Sequence, residues 1–105
     1  MPIQIHDEEH VLKFVSSLGQ NTQSKYLRLR DLLEKFGHEL RMPQSKSLGN
    51  GLFELRIKGE LEVRIFYTFY RNSVYLLHGF IKKSQETPQN ELKTAISRKK
   101  LLTGV

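Results

Sequence analysis

Residues 52–83 read LFELRIKGELEVRIFYTFYRNSVYLLHGFIKK and predict three consecutive β-strands. In the first strand the side chains alternate between apolar and charged with a period of two residues, as in a strand that buries one face. Its apolar face holds Phe53, Leu55 and Ile57, and its opposite face holds Glu54, Arg56 and Lys58. We therefore expect a half-buried sheet whose outer face carries charge.

The second and third strands extend this sheet. In the second strand the buried side is predicted to hold Leu61, Val63, Ile65, Tyr67 and Phe69, and the outer side Glu62, Arg64, Phe66 and Thr68. The third strand, residues 74–81, is apolar on both sides, which is typical of a central or covered strand. The segments 58–59 and 71–73 contain residues that tolerate positive φ, so they predict tight turns and an antiparallel meander.

Helical patterns lie on both sides of the strands. Residues 1–5 predict a short edge strand, because Pro2 is tolerated there. Asp7 is a suitable N-cap for a first amphipathic helix that ends at Gly19. Asn21 or Thr22 is a suitable N-cap for a second helix, which ends at Gly37.

The remaining segments complete the expected order of elements. Residues 41–51 are turn-rich and predict an extended loop. Thr87 and Pro88 predict the start of a last helix over residues 88–101, with Leu92, Ala95 and Ile96 facing inward. The order is then βααβββα, which is an α+β fold, and 105 residues fit one domain over 1–105.

Composition narrows the classes of function. The net charge of +6 lies entirely within residues 46–105, which indicates a polyanionic partner such as nucleic acid. The chain has no cysteine, no secretory signal pattern and no apolar run of the roughly 20 residues that span a bilayer, so we expect a cytoplasmic protein. The familiar phosphate-loop and hydrolase motifs are absent. Of the four histidines, only His6 and His10 have a ligand-like spacing, and this pair lacks a third ligand. No metal or cofactor is therefore expected.

A group of cationic side chains is the candidate site. Arg56 and Arg64 lie on adjacent strands and are predicted to share a face, while Lys82 and Lys83 end the third strand. Such a group can neutralise a phosphate and the charge that develops on it during displacement. Lys46, before the strands, and Lys58 are candidate RNA contacts. Alternatively, Arg56 pairs with carboxylates on the same face, and that face is a solvated surface without a binding role.

Two further residues have open interpretations. His78 lies within an apolar strand, where an isolated histidine is either a hydrogen-bonded core residue or, next to Gly79, a catalytic one. Phe66 is predicted to be exposed beside Arg64, where its ring can stack on a base.

Four segments together resemble the RelE/ParE toxin superfamily, and within it the HigB or phage Gp49-like branch of type II toxin–antitoxin systems. These segments are K-S-L-x-x-G-L-F-E-L-R (46–56), V-R-I-F-Y (63–67), L-L-H-G-F-x-K-K (76–83) and T-P-x-x-E-L-x-x-A-x-x-R (87–98). The resemblance covers about residues 3–100, and the predicted order of elements matches the family's fold.

The resemblance implies a toxin that cleaves mRNA in the ribosomal A site without a metal, by attack of the ribose 2′-OH on the adjacent phosphate. It implies that Arg56 and Arg64 hold the phosphate and that Lys83, assisted by Lys82, acts at the same site. Lys46 would contact the RNA backbone. The tyrosine that many RelE-like enzymes carry after the third strand is missing from residues 85–87, so proton transfer would fall to His78, Glu54 or the basic cluster.

The resemblance also implies partners. They are the ribosome and its mRNA, an antitoxin with a helix-turn-helix fold similar to HigA, and operator DNA bound only through the antitoxin complex. Two alternatives stay open: a ParE-like toxin that poisons DNA gyrase, since fold alone does not determine function, and a noncatalytic RNA-binding or regulatory module.

Overall fold

The computed structural model describes residues 2–105. Its elements in chain order are β1 (Gln4–Asp7), α1 (Glu9–Ser16), α2 (Gln20–Phe36), a short 3-10 helix (Gly37–Glu39), β2 (Ser45–Gly49), β3 (Leu52–Lys58), β4 (Glu62–Tyr70), β5 (Ser73–Ile81) and α3 (Gln89–Thr103). None of the helices in this range is long and apolar enough to cross a membrane.

The strands form one mixed sheet in the order β1-β5-β4-β3-β2. β3, β4 and β5 pair as antiparallel neighbours, which confirms the predicted meander. β1 pairs with β5 in parallel and lies at one edge, as predicted from residues 1–5, of which Met1 lies outside the described residues. The α+β class is confirmed.

The loop predicted over residues 41–51 is wrong in its second half, because Ser45–Gly49 forms an edge strand. This strand pairs antiparallel with β3, with Lys46 opposite Glu54. Only Ser45 of the five residues is buried, so the segment has no apolar alternation by which a strand is recognised. Backbone pairing with β3 orders it, and the observed order of elements becomes βααββββα.

The predicted helices are present, with different N-terminal positions. Asp7 ends β1 and is not an N-cap; its carboxylate accepts hydrogen bonds from Tyr26 and Arg30 of α2. Gly19 occupies the N-cap position of α2, and Pro88 that of α3. The position of Asp7 before a helix predicts an N-cap, but its side chain makes tertiary contacts with α2 instead.

One face of the sheet packs against α1 and α2. Its core contains apolar side chains from both helices, from the connection between them and from four strands: Ile5, Val11, Val15, Leu18, Tyr26, Leu33, Leu55, Ile57, Val63, Ile65, Tyr67, Val74 and Leu76. These include most of the residues that the alternation in β3 and β4 predicts to be inward.

The other face is also covered, which agrees with the two-sided apolar pattern of the third strand but not with the exposed outer face predicted for the first two. α3 packs on it through Ala95, with Leu92 and Leu102 beside it, over Leu52, Phe66, Leu77 and Phe80. Four of the residues predicted to lie on an exposed outer face are buried, namely Glu54, Arg64, Phe66 and Thr68, whereas Lys58 is exposed as predicted. Ala95 faces inward as predicted, whereas Ile96 is 40% exposed.

Candidate functional site

The cationic residues border one cleft on the α3 side of the sheet. It has a volume of ≈ 540 Å³ and is lined by Arg56 of β3, by Glu62 and Arg64 of β4, and by the segment after β5, namely Lys82, Lys83, Ser84 and Gln85. The structure therefore brings together four of the residues that the sequence predicts to hold a phosphate.

Strand pairing places the two arginines side by side. Arg56 and Arg64 are direct partners in the antiparallel β3–β4 ladder, so their side chains leave the same face of the sheet. The Lys82 amide donates to the Glu62 carbonyl at 2.7 Å, which extends the β4–β5 pairing and brings Lys82 to the same end of the sheet. Residues that are distant in sequence thus converge through backbone hydrogen bonds.

Two carboxylates accompany the arginines. Arg64 Nη2 donates to Glu62 Oε1 at 3.2 Å, and Arg64 Nη1 donates to the Val63 carbonyl at 3.1 Å. Glu54 Oε1 lies 3.7 Å from Arg64 Nε and 3.9 Å from Arg56 Nε. Arg64 and Glu54 are nearly inaccessible, at 2% and 3% exposure. The solvated charged face considered from the sequence is therefore a buried ion cluster at its centre.

Hydrogen bonding inside this cluster is incomplete. Among the described residues, three buried side-chain atoms have no hydrogen-bond partner: Glu54 Oε2, Arg56 Nε and Arg64 Nε. Arg56 is held by a contact from Nη1 to Met42 Sδ at 3.5 Å, and 17% of its side chain is exposed. Unpaired buried polar groups are costly in structural sites and are a common feature of functional ones.

The flanking lysines differ in accessibility. Lys82 is half-buried and Lys83 is exposed, and both line the cleft. Lys46 and Lys58 are exposed on β2 and at the end of β3, and they lie outside the cleft lining. Lys46 was predicted to lie in a loop, but it is the strand partner of Glu54. These two lysines therefore lie apart from the cleft that Arg56 and Arg64 line.

His78 connects the sheet to α3. Its Nδ1 lies 3.0 Å from Arg98 Nη1, and its Nε2 lies 2.8 Å from Glu91 Oε1. Because a guanidinium only donates, Nδ1 is the acceptor and the ring proton lies on Nε2, donated to Glu91. Arg98 Nη1 also donates to the Leu77 carbonyl at 2.9 Å. Both ring nitrogens are thus occupied, which favours the structural interpretation of His78.

The exposure predicted for Phe66 is wrong. Its ring is 0% exposed and packs on Phe80 with 5.2 Å between centroids, beneath α3. The alternation in β4 assigned Phe66 to the face opposite the α1–α2 core correctly, but α3 covers that face. In this conformation Phe66 offers no surface for stacking on a base.

The arrangement that sequence reasoning missed is the carboxylate between the arginines. The signal was available in part: Glu54 precedes Arg56 by two residues and therefore shares its face. Its distance to Arg64 depends on the β3–β4 register, which spacing along the chain does not give. Ser84 and Gln85, which complete the cleft lining, carry no pattern that would have identified them.

Comparisons with known proteins identify a family from the sequence and a similar fold from a solved structure. The family model described as phage derived protein Gp49-like (DUF891) matches residues 13–100. The solved structure of the E. coli toxin RelE, a double arginine-to-alanine variant in the free state, superposes with a TM-score of 0.68 at 12% sequence identity, covering 93% of this chain and 98% of that chain. No curated protein matches the sequence significantly.

Proposed function

The chain belongs to the family of phage-derived Gp49-like proteins, and from this membership and the cleft we propose that it is the toxin of a type II toxin–antitoxin system. Its activity is ribosome-dependent endonucleolytic cleavage of mRNA. The observation that supports the activity most strongly is the arginine pair: Arg56 and Arg64 face each other across β3 and β4 and border one cleft with Lys82 and Lys83.

The chemistry follows from the charge of this cleft. Attack of the ribose 2′-oxygen on the neighbouring phosphorus forms one P–O bond and breaks the bond to the 5′-oxygen, so negative charge on the phosphoryl oxygens rises in the transition state. Guanidinium groups stabilise such oxygens by paired, charge-assisted hydrogen bonds. Arg56 and Arg64 perform this role.

The lysines act on the leaving group. As the P–O5′ bond breaks, the 5′-oxygen needs a proton, and an ammonium group at the cleft can donate it. Lys83 is the exposed donor and Lys82 the half-buried one. The 2′-hydroxyl proton leaves to solvent, and the products are a 2′,3′-cyclic phosphate and a free 5′-hydroxyl.

The partners follow from the same assignment. A protein with a net charge of +6 associates readily with ribosomal RNA, and its cationic cleft is complementary to an acidic antitoxin surface. The antitoxin is a small helix-turn-helix protein, and the complex binds operator DNA through it. Protein synthesis occurs in the cytoplasm, which is where the toxin acts.

The decisive experiment compares cleavage with and without translating ribosomes. Purified protein is mixed with 5′-labelled mRNA, alone or on programmed ribosomes, and cuts are mapped by primer extension. The proposal expects cuts within the translated region only when ribosomes are present. Cuts on free RNA would contradict the ribosome dependence, and no cuts in either mixture would contradict the nuclease assignment.

A pair of matched variants tests whether cleavage depends on the cleft, and not on a contaminating nuclease or on the net charge of the protein. Arg56→Ala removes one positive charge from the cleft, whereas Arg28→Ala removes one from the exposed surface of α2, on the opposite side of the sheet. The proposal expects cleavage to be lost in the first variant and retained in the second. Equal losses in both would assign the effect to net charge.

A further inference from the structure

We propose that Glu54 is a positioning residue: its buried carboxylate sets the orientation of the Arg56 and Arg64 guanidiniums, and it does not itself transfer a proton. The part of this proposal that concerns turnover rests on the proposed nuclease function. The part that concerns the arginines does not, and it can be tested in the absence of RNA.

The geometry places one carboxylate oxygen between two guanidiniums. Glu54 Oε1 is 3.7 Å from Arg64 Nε and 3.9 Å from Arg56 Nε, so the oxygen is nearly equidistant from them. Glu54 reaches Arg56 along β3, where the two residues share a face, and reaches Arg64 diagonally across the β3–β4 pair.

Electrostatics explains why a carboxylate is needed there. Like charges directly opposite each other in an antiparallel pair repel, and burial strengthens the repulsion because the local dielectric constant is low. A single negative charge near both Nε atoms offsets this repulsion. The Nη groups make other contacts: those of Arg64 donate to Glu62 and to the Val63 carbonyl, and Arg56 Nη1 contacts Met42 Sδ.

The burial of Glu54 argues against its acting as the general base. A base must approach the proton that it takes to within about 2.6–3.2 Å. Glu54 is as buried as Arg64, but unlike Arg64 it does not line the cleft, and its Oε2 is fully buried. Its effect on a substrate in the cleft is therefore transmitted through Arg56 and Arg64, which line that cleft.

The direct test observes the arginines themselves. In ¹⁵N-labelled full-length protein, the side-chain Nε–H groups of Arg56 and Arg64 are assigned and compared in wild type, Glu54→Gln and the control Glu60→Gln, which alters an exposed residue of the β3–β4 turn. We expect Glu54→Gln to shift both resonances and to speed their exchange with water by about tenfold or more, as buried positioned groups become mobile. Unchanged resonances in a folded Glu54→Gln protein would overturn the proposal.

The kinetic test separates positioning from binding. With ribosome-programmed mRNA, we expect Glu54→Gln to lower kcat by about tenfold or more while KM changes by less than about threefold, since loss of orientation acts mainly in the transition state. The kcat of Glu54→Gln should show the same dependence on pH as wild type. Loss of the acidic limb of the pH profile would identify Glu54 as the base and overturn the proposal.

A second variant keeps the proposal testable if Glu54→Gln fails to fold. Glu54→Asp keeps the charge but withdraws the carboxylate by one methylene from both arginines. It should fold, with altered Arg56 and Arg64 resonances and a reduced kcat. Wild-type resonances and turnover in Glu54→Asp would overturn the positioning role. If the wild-type protein cleaves no RNA, the nuclease function fails, while the resonance test still decides the role of Glu54.

Discussion

Arg56 and Arg64 lie directly opposite each other on β3 and β4, although like charges at paired positions of an antiparallel ladder repel. The nearby carboxylates of Glu54 and Glu62 offset part of this repulsion. An incoming phosphate supplies further negative charge at the same place. The pair is therefore stabilised by the substrate that we propose for it, and its two members should respond differently to mutation because their burial differs.

Arg56→Ala and Arg64→Ala should both reduce cleavage and growth inhibition by about 100-fold or more, since each removes a donor to the transition state. Their stabilities should differ. Arg64 is buried with carboxylate partners, so its loss should cost about 3 kcal/mol in the free energy of unfolding. Arg56 is more exposed and its contact with Glu54 is longer, at 3.9 Å, so its loss should cost less than that of Arg64.

Urea denaturation of both variants, alongside cleavage assays, checks this difference. Arg56→Ala is the informative variant for function, because a stable protein without activity assigns the loss to the cleft. A fully active and well-folded Arg64→Ala protein would contradict the role of the pair. The control Arg28→Ala should match wild type in both assays.

Phe66→Ala should act on stability. The ring is fully buried against Phe80 under α3, so truncation should lower the free energy of unfolding by about 3–5 kcal/mol. Phe36→Ala, at a 43% exposed position, should cost much less. Chemical denaturation measures both. A stable Phe66→Ala protein with weakened RNA binding would instead support the stacking role that the sequence predicted.

The strand meander and helices were predictable because their signals are local. Alternation along residues 52–83 follows from strand geometry, and it placed Arg56 and Arg64 on one face before any register was known. β2 was not predictable in this way, since Ser45–Gly49 lacks alternation and is ordered by its pairing with β3.

The sequence predicted which residues form the site better than it predicted what surrounds them. Alternation assigns a side chain to a face of the sheet but does not say what covers that face. Whether Phe66 stacks on RNA or packs in a core depends on where α3 docks, and α3 docks through non-local contacts such as Ala95 on the sheet. The ion cluster around Glu54 depends on the β3–β4 register, which pairs Arg56 with Arg64, so it could not be read from spacing alone.

Gly79→Ala should destabilise the protein through α1. A Cβ at this position would lie 2.5 Å from Phe14 Cδ2 and 2.8 Å from Phe14 Cε2, so the ring would have to move. Such overpacking should cost about 1–3 kcal/mol, measurable as a lower thermal midpoint. Phe14→Ala removes the ring, so Gly79→Ala should lower the midpoint less in a Phe14→Ala background than in wild type. An equal fall in the two backgrounds would contradict the close approach of Phe14.

Asp7→Asn should weaken the dependence of stability on acid pH. Burial raises the pKa of the Asp7 carboxyl, but hydrogen bonds from Arg30 and Tyr26 outweigh it, and the net pKa is lower than 3.8. A depressed folded-state pKa gives stability that is present above the unfolded pKa and is lost as pH falls through the folded value.

Urea midpoints between about pH 2 and pH 6 measure this contribution. The wild-type protein should lose stability toward pH 2, whereas Asp7→Asn should start lower at pH 6 and fall less. Asp31→Asn alters an exposed carboxylate of α2 and should follow the wild-type curve. A curve for Asp7→Asn parallel to that of wild type would show that the Asp7–Arg30 contact contributes nothing to pH dependence.

His78→Ala should loosen α3 and spare the chemistry. The imidazole joins β5 to Glu91 and Arg98 of α3 and lies outside the cleft lining. Removing it leaves two polar groups of α3 without their partner, which should lower stability by about 1–3 kcal/mol. Hydrogen exchange should accelerate within residues 89–103, while the kcat of RNA cleavage stays within about threefold of wild type. Lys93→Ala, an exposed change on the same helix, is the control. A loss of kcat by 100-fold or more with unchanged exchange in α3 would instead make His78 a catalytic residue, as one of its two sequence-based interpretations holds.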